Sequence, residues 1–200
     1  VPPFLAPLTD VEIFQLGDRG YFVRDTFLGK DAALEVRAAV EALAAEGRFH
    51  PAGLSRGAAH HRDASWRGDE ILWVAPETPP LKGLLEAFSA LRDEINQGAY
   101  LGLDRFEVQA SRYPGSGARY ARHRDAFPGP GNRRLTALCY LNPGWTPEQG
   151  GALRLYLDDG ELDIAPTLDR LVVFLSERVE HEVLPTFALR FATTAWYYGR

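Results

Sequence analysis

Between Arg105 and Tyr198 no single pattern is held for long. Short β-prone runs at 105–113, 119–124, 134–141, 151–157, 161–164, 170–175, 181–184 and 189–198 alternate with turns rich in Gly, Pro, Asn and Asp. Asp158-Asp159-Gly160, between two such runs, is a hairpin signal. Eight short strands after helical patterns predict a mainly β fold with supporting α-helices. The architecture expected is a jelly-roll barrel, the double-stranded β-helix.

The first half of the chain supplies the support. Val11, Ile13, Phe14 and Leu16 suggest a short amphipathic helix, followed by a strand at Tyr21-Phe22-Val23. Asp31 reads as the cap of a helix running to about Glu46, with Leu34, Val36, Val40 and Leu43 as its stripe and Gly47 as its stop. Residues 47–68 lose all periodicity, and a stretch that long is usually functional or mobile. Its His60-His61 pair reads as two solvated side chains, because adjacent histidines chelate poorly. Ile71-Leu72-Trp73-Val74 then reads as a buried strand. Thr78-Pro79 opens a second long helix with Leu81, Leu84, Leu85, Phe88, Leu91 and Ile95 at helical spacing, ended by Gly98. One domain over 1–200 is expected, with helical support at about 9–98 and a barrel at about 105–198.

Composition narrows the function classes. Lys and Arg total 22 against 27 Asp and Glu, a net charge of −5, which argues against broad nucleic-acid binding. No apolar run approaches the roughly 20 residues of a membrane helix, so no membrane partner is expected. Val1–Leu8 is too short and uncharged for a secretory signal. The single cysteine, Cys139, fits a reducing, cytoplasmic setting and reads as a small buried hydrophobe.

The chemistry concentrates at His123-Arg124-Asp125, His181 and Arg190. On a strand, His123 and Asp125 would point to one face. With His181 they make two imidazoles and one carboxylate, a set suited to a non-haem Fe(II) centre with open positions. The alternative is that both histidines pair with carboxylates at the surface, and spacing alone does not separate the two. Arg190 offers a planar fork of donors for a carboxylate. Period two places Arg190, Ala192, Thr194 and Trp196 on one face, which suits a ligand pocket. On 134–141, Thr136, Leu138 and Tyr140 share one face, while Leu135, Ala137, Cys139 and Leu141 share the other as core. Tyr113 and Tyr120 flank a tight turn at 114–117.

With these residues in place, the chain resembles the Fe(II)- and 2-oxoglutarate-dependent prolyl hydroxylases, in particular the oxygen-sensing, hypoxia-inducible-factor type and its bacterial relatives. The resemblance covers roughly 65–198. It rests on Arg67-Gly68-Asp69 before Ile71-Leu72-Trp73, Tyr113-Pro114-Gly115, His123-x-Asp125 and Tyr140-Leu141-Asn142. Gly150-Gly151-x-Leu153-Arg154, His181-Glu182-Val183 and Arg190 to Tyr197 complete it. Collagen-type prolyl hydroxylases carry Lys where this chain has Arg190.

The resemblance implies that His123, Asp125 and His181 ligate iron, and that Arg190 pairs with the distal carboxylate of 2-oxoglutarate, helped by Tyr140 and Thr194. Tyr113 would lie beside iron and co-substrate, with Leu138, Leu153 and Trp196 as walls. Asp69 and Arg133 match a pair that orders a mobile loop over the substrate. Fe(II), 2-oxoglutarate and O₂ follow as cofactor and co-substrates, with ascorbate as an optional addition. The implied reaction is C4 hydroxylation of a prolyl residue in a protein: elongation factor Tu for the bacterial relatives, a transcription factor for the animal ones. The 125–134 and 176–181 loops differ in length from the animal enzymes. Two other readings stand beside it: oxidation of free proline or another small molecule, and a non-catalytic barrel that binds metal or peptide.

Overall fold

A computed structural model describes residues 6–53, 66–76, 78–126 and 132–199. Most of the irregular 47–68 stretch, with His60 and His61, and the centre of the 125–134 loop lie outside the described residues. The chain begins with α1 (Asp10–Arg19), β1 (Tyr21–Arg24), α2 (Lys30–Ala45), β2 (His50–Pro51), β3 (Glu70–Val74) and α3 (Lys82–Ala99). The β-rich part follows as β4 (Leu103–Tyr113), β5 (Ala118–His123), β6 (Arg133–Tyr140), β7 (Leu153–Leu157), β8 (Gly160–Ile164), β9 (Leu171–Leu175), β10 (Glu180–Thr186) and β11 (Arg190–Gly199).

All strand pairings are antiparallel. They form a seven-stranded sheet in the order β1-β9-β6-β11-β4-β3-β2 and a four-stranded sheet in the order β5-β10-β7-β8. This is the jelly-roll barrel expected. Each of the eight strand runs anticipated after residue 100 is present, with ends shifted by a few residues. The hairpin at Asp158-Asp159 closes with Leu157 opposite Gly160.

The central strands β6, β9 and β11 of the large sheet are buried on both faces, which is why they read as largely apolar runs. Leu135, Ala137, Cys139 and Leu141 face the helices, where they meet Phe88, Leu91 and Ile95 of α3 and Val36 and Val40 of α2. Leu138 and Tyr140 face the other way, into the barrel, with Leu153, Leu155, Val172 and Phe174. Each such side chain contributes about 1.5–3 kcal/mol by leaving water. The helices hold the large sheet flat against one side, and its other side becomes the wall of a cavity.

The helix ends differ from expectation in instructive ways. Thr9 and Glu12 form a reciprocal capping box at the start of α1, a Thr-x-x-Glu signal legible in the sequence. Asp31 is not the cap of α2: the helix starts one residue earlier, behind Gly29, and Asp31 sits in its first turn, where a carboxylate favours the helix dipole. Ala33, not Leu34, belongs to the buried stripe; Leu34 is exposed, because 33, 36, 40 and 43 follow the helical period and 34 does not. Thr78 precedes a 3₁₀ turn at Pro79–Leu81 without capping it by its side chain. Gly98 does not end α3; the helix runs to Ala99 and Tyr100 takes the left-handed terminal position. A Cβ at Gly98 would stand 2.8 Å from Ile13, so this glycine serves close approach of α1 to α3.

A polar bracket joins helices and barrel. Asn142 accepts from Phe191 N–H at 2.8 Å and donates to the carbonyls of Phe191 and Pro166 at 3.0 and 2.8 Å. Arg37 of α2 donates to Leu141 O and Asn142 Oδ1, and its guanidinium lies 4.5 Å over the Phe191 ring. Asn142→Ala strands several buried backbone groups at once. It should lower unfolding free energy by about 2–4 kcal/mol, read from urea denaturation midpoints; an unchanged midpoint would remove Asn142 from this role.

Candidate metal and oxo-acid site

The inner face of the large sheet is a grid of rows set by strand register. On β11, Arg190, Ala192, Thr194 and Trp196 point inward in turn. Opposite them on β4 stand Tyr113, Ser111, Gln109 and Glu107. On β6, Tyr140 faces Ala192, Leu138 faces Thr194, and Thr136 faces Trp196. Arg190, Ala192, Thr194 and Trp196 line one pocket together with Tyr113, Leu138, Leu153, His123, Asp125 and His181.

The small sheet brings the imidazoles together. His123 ends β5 and lies directly opposite His181 on β10. Their rings are 4.3 Å apart at the centroids. Asp125 is not on the strand: the ladder stops at His123, and Asp125 lies in a bend beyond it. Strict strand alternation therefore does not aim this carboxylate. Side chains do: Thr136 on β6 donates to Asp125 Oδ2 at 2.8 Å, and Arg133 lies 3.7 Å from Oδ1. One imidazole nitrogen each from His123 and His181 and a carboxylate oxygen of Asp125 lie within 4.8 Å of one another. His123 Nε2 is 3.6 Å from Asp125 Oδ1, and His181 Nε2 is 3.7 Å from Oδ2.

Hydrogen bonds fix which nitrogen faces the centre. His123 Nδ1 lies 2.7 Å from the carbonyl of Ala121, and His181 Nδ1 lies 3.4 Å from that of Val179. A carbonyl only accepts, so Nδ1 carries the proton and Nε2 keeps its lone pair for a metal. Tyr120 stacks on His123 at 3.8 Å and Phe174 stands against His181 at 4.6 Å, which fixes the ring planes. Burial, then His123, push the His181 imidazole down to about 4 against the pull of Asp125. Burial opposes ionisation of Asp125, but His181, His123 and Arg133 outweigh it and hold the carboxyl well below its usual range.

At the other end of the pocket Arg190 is 1% exposed. Its Nε donates to Gly151 O at 2.9 Å, and its guanidinium lies 4.8 Å from the Tyr113 ring and 5.1 Å from the Tyr140 ring. Arg190 Nη2, the Tyr140 hydroxyl and Trp196 Nε1 are buried with no hydrogen-bond partner among the described residues. Burial pushes the Tyr140 phenol up to about 12, partly offset by Arg190, so it remains a donor. A desolvated guanidinium with no carboxylate in contact among the described residues calls for an anion from outside them. Gly151 has φ +65°, and a Cβ there would stand 3.0 Å from Arg190 Cδ, so only glycine leaves the guanidinium its place.

Of the other expected positions, Asp69 is 3% exposed and bound by Arg67 at 2.7 and 3.0 Å. Arg133 lies 4.1 Å over the Trp196 ring, near Asp125. Sequence reasoning missed Arg67 and Gln109 as pocket residues. Arg67 also donates to Gln109 Oε1 at 3.2 Å and lies 4.3 Å over Tyr120. The two-residue period back from Tyr113 would have marked Ser111 and Gln109. Nothing in the sequence marks Arg67 apart from its place in a motif.

The comparisons with known proteins agree with this geometry. A family model described as the 2OG-Fe(II) oxygenase superfamily matches residues 108–198. Human Egl nine homolog 1 is 34% identical over 194 residues, which cover 92% of this chain and 45% of that protein. Human prolyl hydroxylase EGLN3 is 32% identical over 196 residues, 92% of this chain and 80% of that one. The crystal structure of a Pseudomonas putida prolyl-4-hydroxylase is 38% identical with a TM-score of 0.86, covering 96% of this chain and 98% of that one. A Trichoplax adhaerens prolyl hydroxylase, solved with a peptide of the hypoxia inducible factor oxygen degradation domain, is 34% identical. Its TM-score is 0.86, with 94% and 87% of the two chains covered.

The chain therefore belongs to the 2OG-Fe(II) oxygenase superfamily, whose cofactor is Fe(II) and whose co-substrate is 2-oxoglutarate. Within it, the chain belongs to the prolyl hydroxylase family of the Egl nine type. It spans about half the length of Egl nine homolog 1, the first of these relatives. No helix among the described residues is long and apolar enough to cross a membrane.

The pocket's charges set a pH dependence. In the metal-free chain His181 is held neutral, so the unfolded state takes up a proton below about 6.5 that the folded state refuses until about 4. Below about 3.9 unfolded Asp125 is protonated as well, while the folded carboxylate stays ionised. Both effects act in one direction. The denaturation midpoint of the metal-free protein should fall steadily from pH 7 to pH 4, and a flat profile would contradict the burial of His181.

Proposed function

We propose that this chain is a prolyl 4-hydroxylase acting on a proline residue of a protein. It would consume 2-oxoglutarate and O₂ and release succinate and CO₂, with one oxygen atom entering succinate and the other the proline C4–H bond. The observation that carries the reading is the buried guanidinium of Arg190, with no carboxylate in contact among the described residues, at one end of a pocket whose other end carries His123, Asp125 and His181. A dicarboxylate that reaches from one to the other fits both.

His123 Nε2, His181 Nε2 and one Asp125 oxygen would hold Fe(II). Bound ferrous iron supplies the activation of O₂ and the oxidation of the C–H bond. The chain's own residues bind, orient and exclude water. Arg190 Nη2 and the Tyr140 hydroxyl, both lacking partners among the described residues, donate to the distal carboxylate, with Thr194 two rows above Arg190 and one above Tyr140. Tyr113, Leu138 and Leu153 wall the pocket and keep it dry. Trp196, its ring tilted against that of the exposed Trp73 at 5.6 Å, closes the upper rim. An aromatic rim suits the apolar ring of a prolyl residue better than the charged ends of free proline. Asp69, which lines the pocket, and Arg133, which lies beside Asp125 and Trp196, are assigned to substrate binding.

The chain is read as one dioxygenase domain over 1–200. The buried free thiol of Cys139 supports a reducing, cytoplasmic setting. Elongation factor Tu is the substrate proposed. The reading is supported by the likeness to the Pseudomonas putida prolyl-4-hydroxylase over almost the whole of both chains, taken with the bacterial resemblance described above. Incubation of candidate proteins with enzyme, Fe(II) and 2-oxoglutarate, followed by mass spectrometry, should reveal one added oxygen on a proline. Oxidation of free proline alone would redirect the assignment.

Two substitutions test the chemistry. His123→Ala should abolish substrate-stimulated succinate release, and wild-type turnover after iron removal would contradict the scheme. Arg190→Ala removes one partner of a desolvated ion pair, a loss of about 3–5 kcal/mol. The 2-oxoglutarate requirement should rise by roughly two to four orders of magnitude. An unchanged requirement would rule Arg190 out as the anchor.

A further inference from the structure

The carboxylate among the three candidate ligands is the one whose backbone the ladder does not hold. His123 and His181 are cross-strand partners in the small sheet, whereas Asp125 lies in a bend past the end of β5. Its direction must come from side chains. Thr136 Oγ1, on the opposite sheet, lies 2.8 Å from Asp125 Oδ2 and 2.9 Å from Ser176 Oγ. Thr136 and Ser176 are wholly buried, and Asp125 is 6% exposed.

The direction of this chain of hydroxyls follows from elementary valence. An ionised carboxylate only accepts, so the Thr136 proton points at Asp125. Thr136 Oγ1 must then accept from the Ser176 hydroxyl. Both rotors are thereby locked, and Thr136 adds a charge-assisted bond in a dry site. Ser176 is itself fixed by its backbone N–H, which donates to Arg134 O at 3.0 Å. The relay ties the bend carrying Asp125 to two strands of the large sheet, β6 and the end of β9.

We infer that Thr136 and Ser176 are positioning residues for metal binding: an ordered Ser176→Thr136→Asp125 relay aims the carboxylate at the point where His123 and His181 converge. Without it the Asp125 carboxylate keeps the longer contact to Arg133, 3.7 Å from Oδ1, and loses the bond that fixes Oδ2. The inference rests on the reading of Asp125 as a metal ligand, and its test is arranged to separate the two.

The experiment is titration of the metal-free protein with Co(II), followed by its visible absorption, with Fe(II) affinity measured by competition against a chelator. Asp125→Ala should weaken binding and change the Co(II) spectrum. Thr136→Val, which keeps shape and loses the hydroxyl, should weaken binding by roughly 10- to 100-fold. Thr136→Ser should restore near wild-type affinity and spectrum, which a merely structural role for the threonine methyl would not predict. Ser176→Ala should weaken binding by less than Thr136→Val, since Thr136 can still donate. If Asp125→Ala weakens binding while Thr136→Val binds as the wild type does, the relay is overturned and the metal site stands. If Asp125→Ala binds as the wild type does, the ligand assignment itself fails. Should Thr136→Val not fold, Thr136→Ala decides: wild-type affinity there, with Asp125→Ala impaired, overturns the relay.

Discussion

A buried positive charge without a negative one beside it is costly, and among the described residues Arg190 is such a charge. Removing it from water opposes folding by several kcal/mol unless strong hydrogen bonds intervene. The fold offers it the Gly151 carbonyl and the faces of Tyr113 and Tyr140. Much of the surrounding structure serves that one side chain. β11 is central in the large sheet, paired along its length with β4 and β6, so the residue at its start cannot drift. Asn142 and Arg37 hold the next residue, Phe191, by both its backbone groups and its ring. Gly150 and Gly151, both with positive φ, bring a carbonyl close enough to reach Nε.

The two ends of the pocket are built on different principles. The Arg190 end is held by β11, which is paired on both sides. The metal end joins three pieces of chain with unequal restraint: two histidines locked in register by the small sheet, and one carboxylate steered from the large sheet by hydroxyls. Distances near 3.7 Å between ligand atoms and electrostatics that keep Asp125 ionised and His181 neutral leave the set in the protonation state a divalent ion requires.

Much of this was legible in the sequence, and the reasons are physical. Strand positions were, because each turn carries residues that a turn requires and a strand avoids, as at Asp158-Asp159-Gly160. The inward face of β11 was, because alternation is strict in a long, fully paired strand. What was hidden depends on contacts between distant segments. Asp125 leaves its strand, which no local pattern signals. Ala33 replaces Leu34 in the buried stripe, because packing selects a face before it selects size. Gly98 lies within a helix, because another helix needs the space. Arg67 reads as one more loop cation until Asp69, Gln109 and Tyr120 are seen around it.

The residues just before β3 do two jobs with one stretch of backbone. Gly68 N–H donates to Arg119 O and Ala121 N–H to Trp66 O, so the stretch is laced to β5 of the small sheet. Two residues later the same chain is paired with β4 of the large sheet. The seam between the two sheets on this side and the rim beside Arg67 and Asp69 are thus one strip. Whatever grips that rim also tightens the seam, and slackening of the seam loosens the rim. The backbone that carries Arg67 and Asp69 to the pocket is therefore the same backbone that closes one side of the barrel.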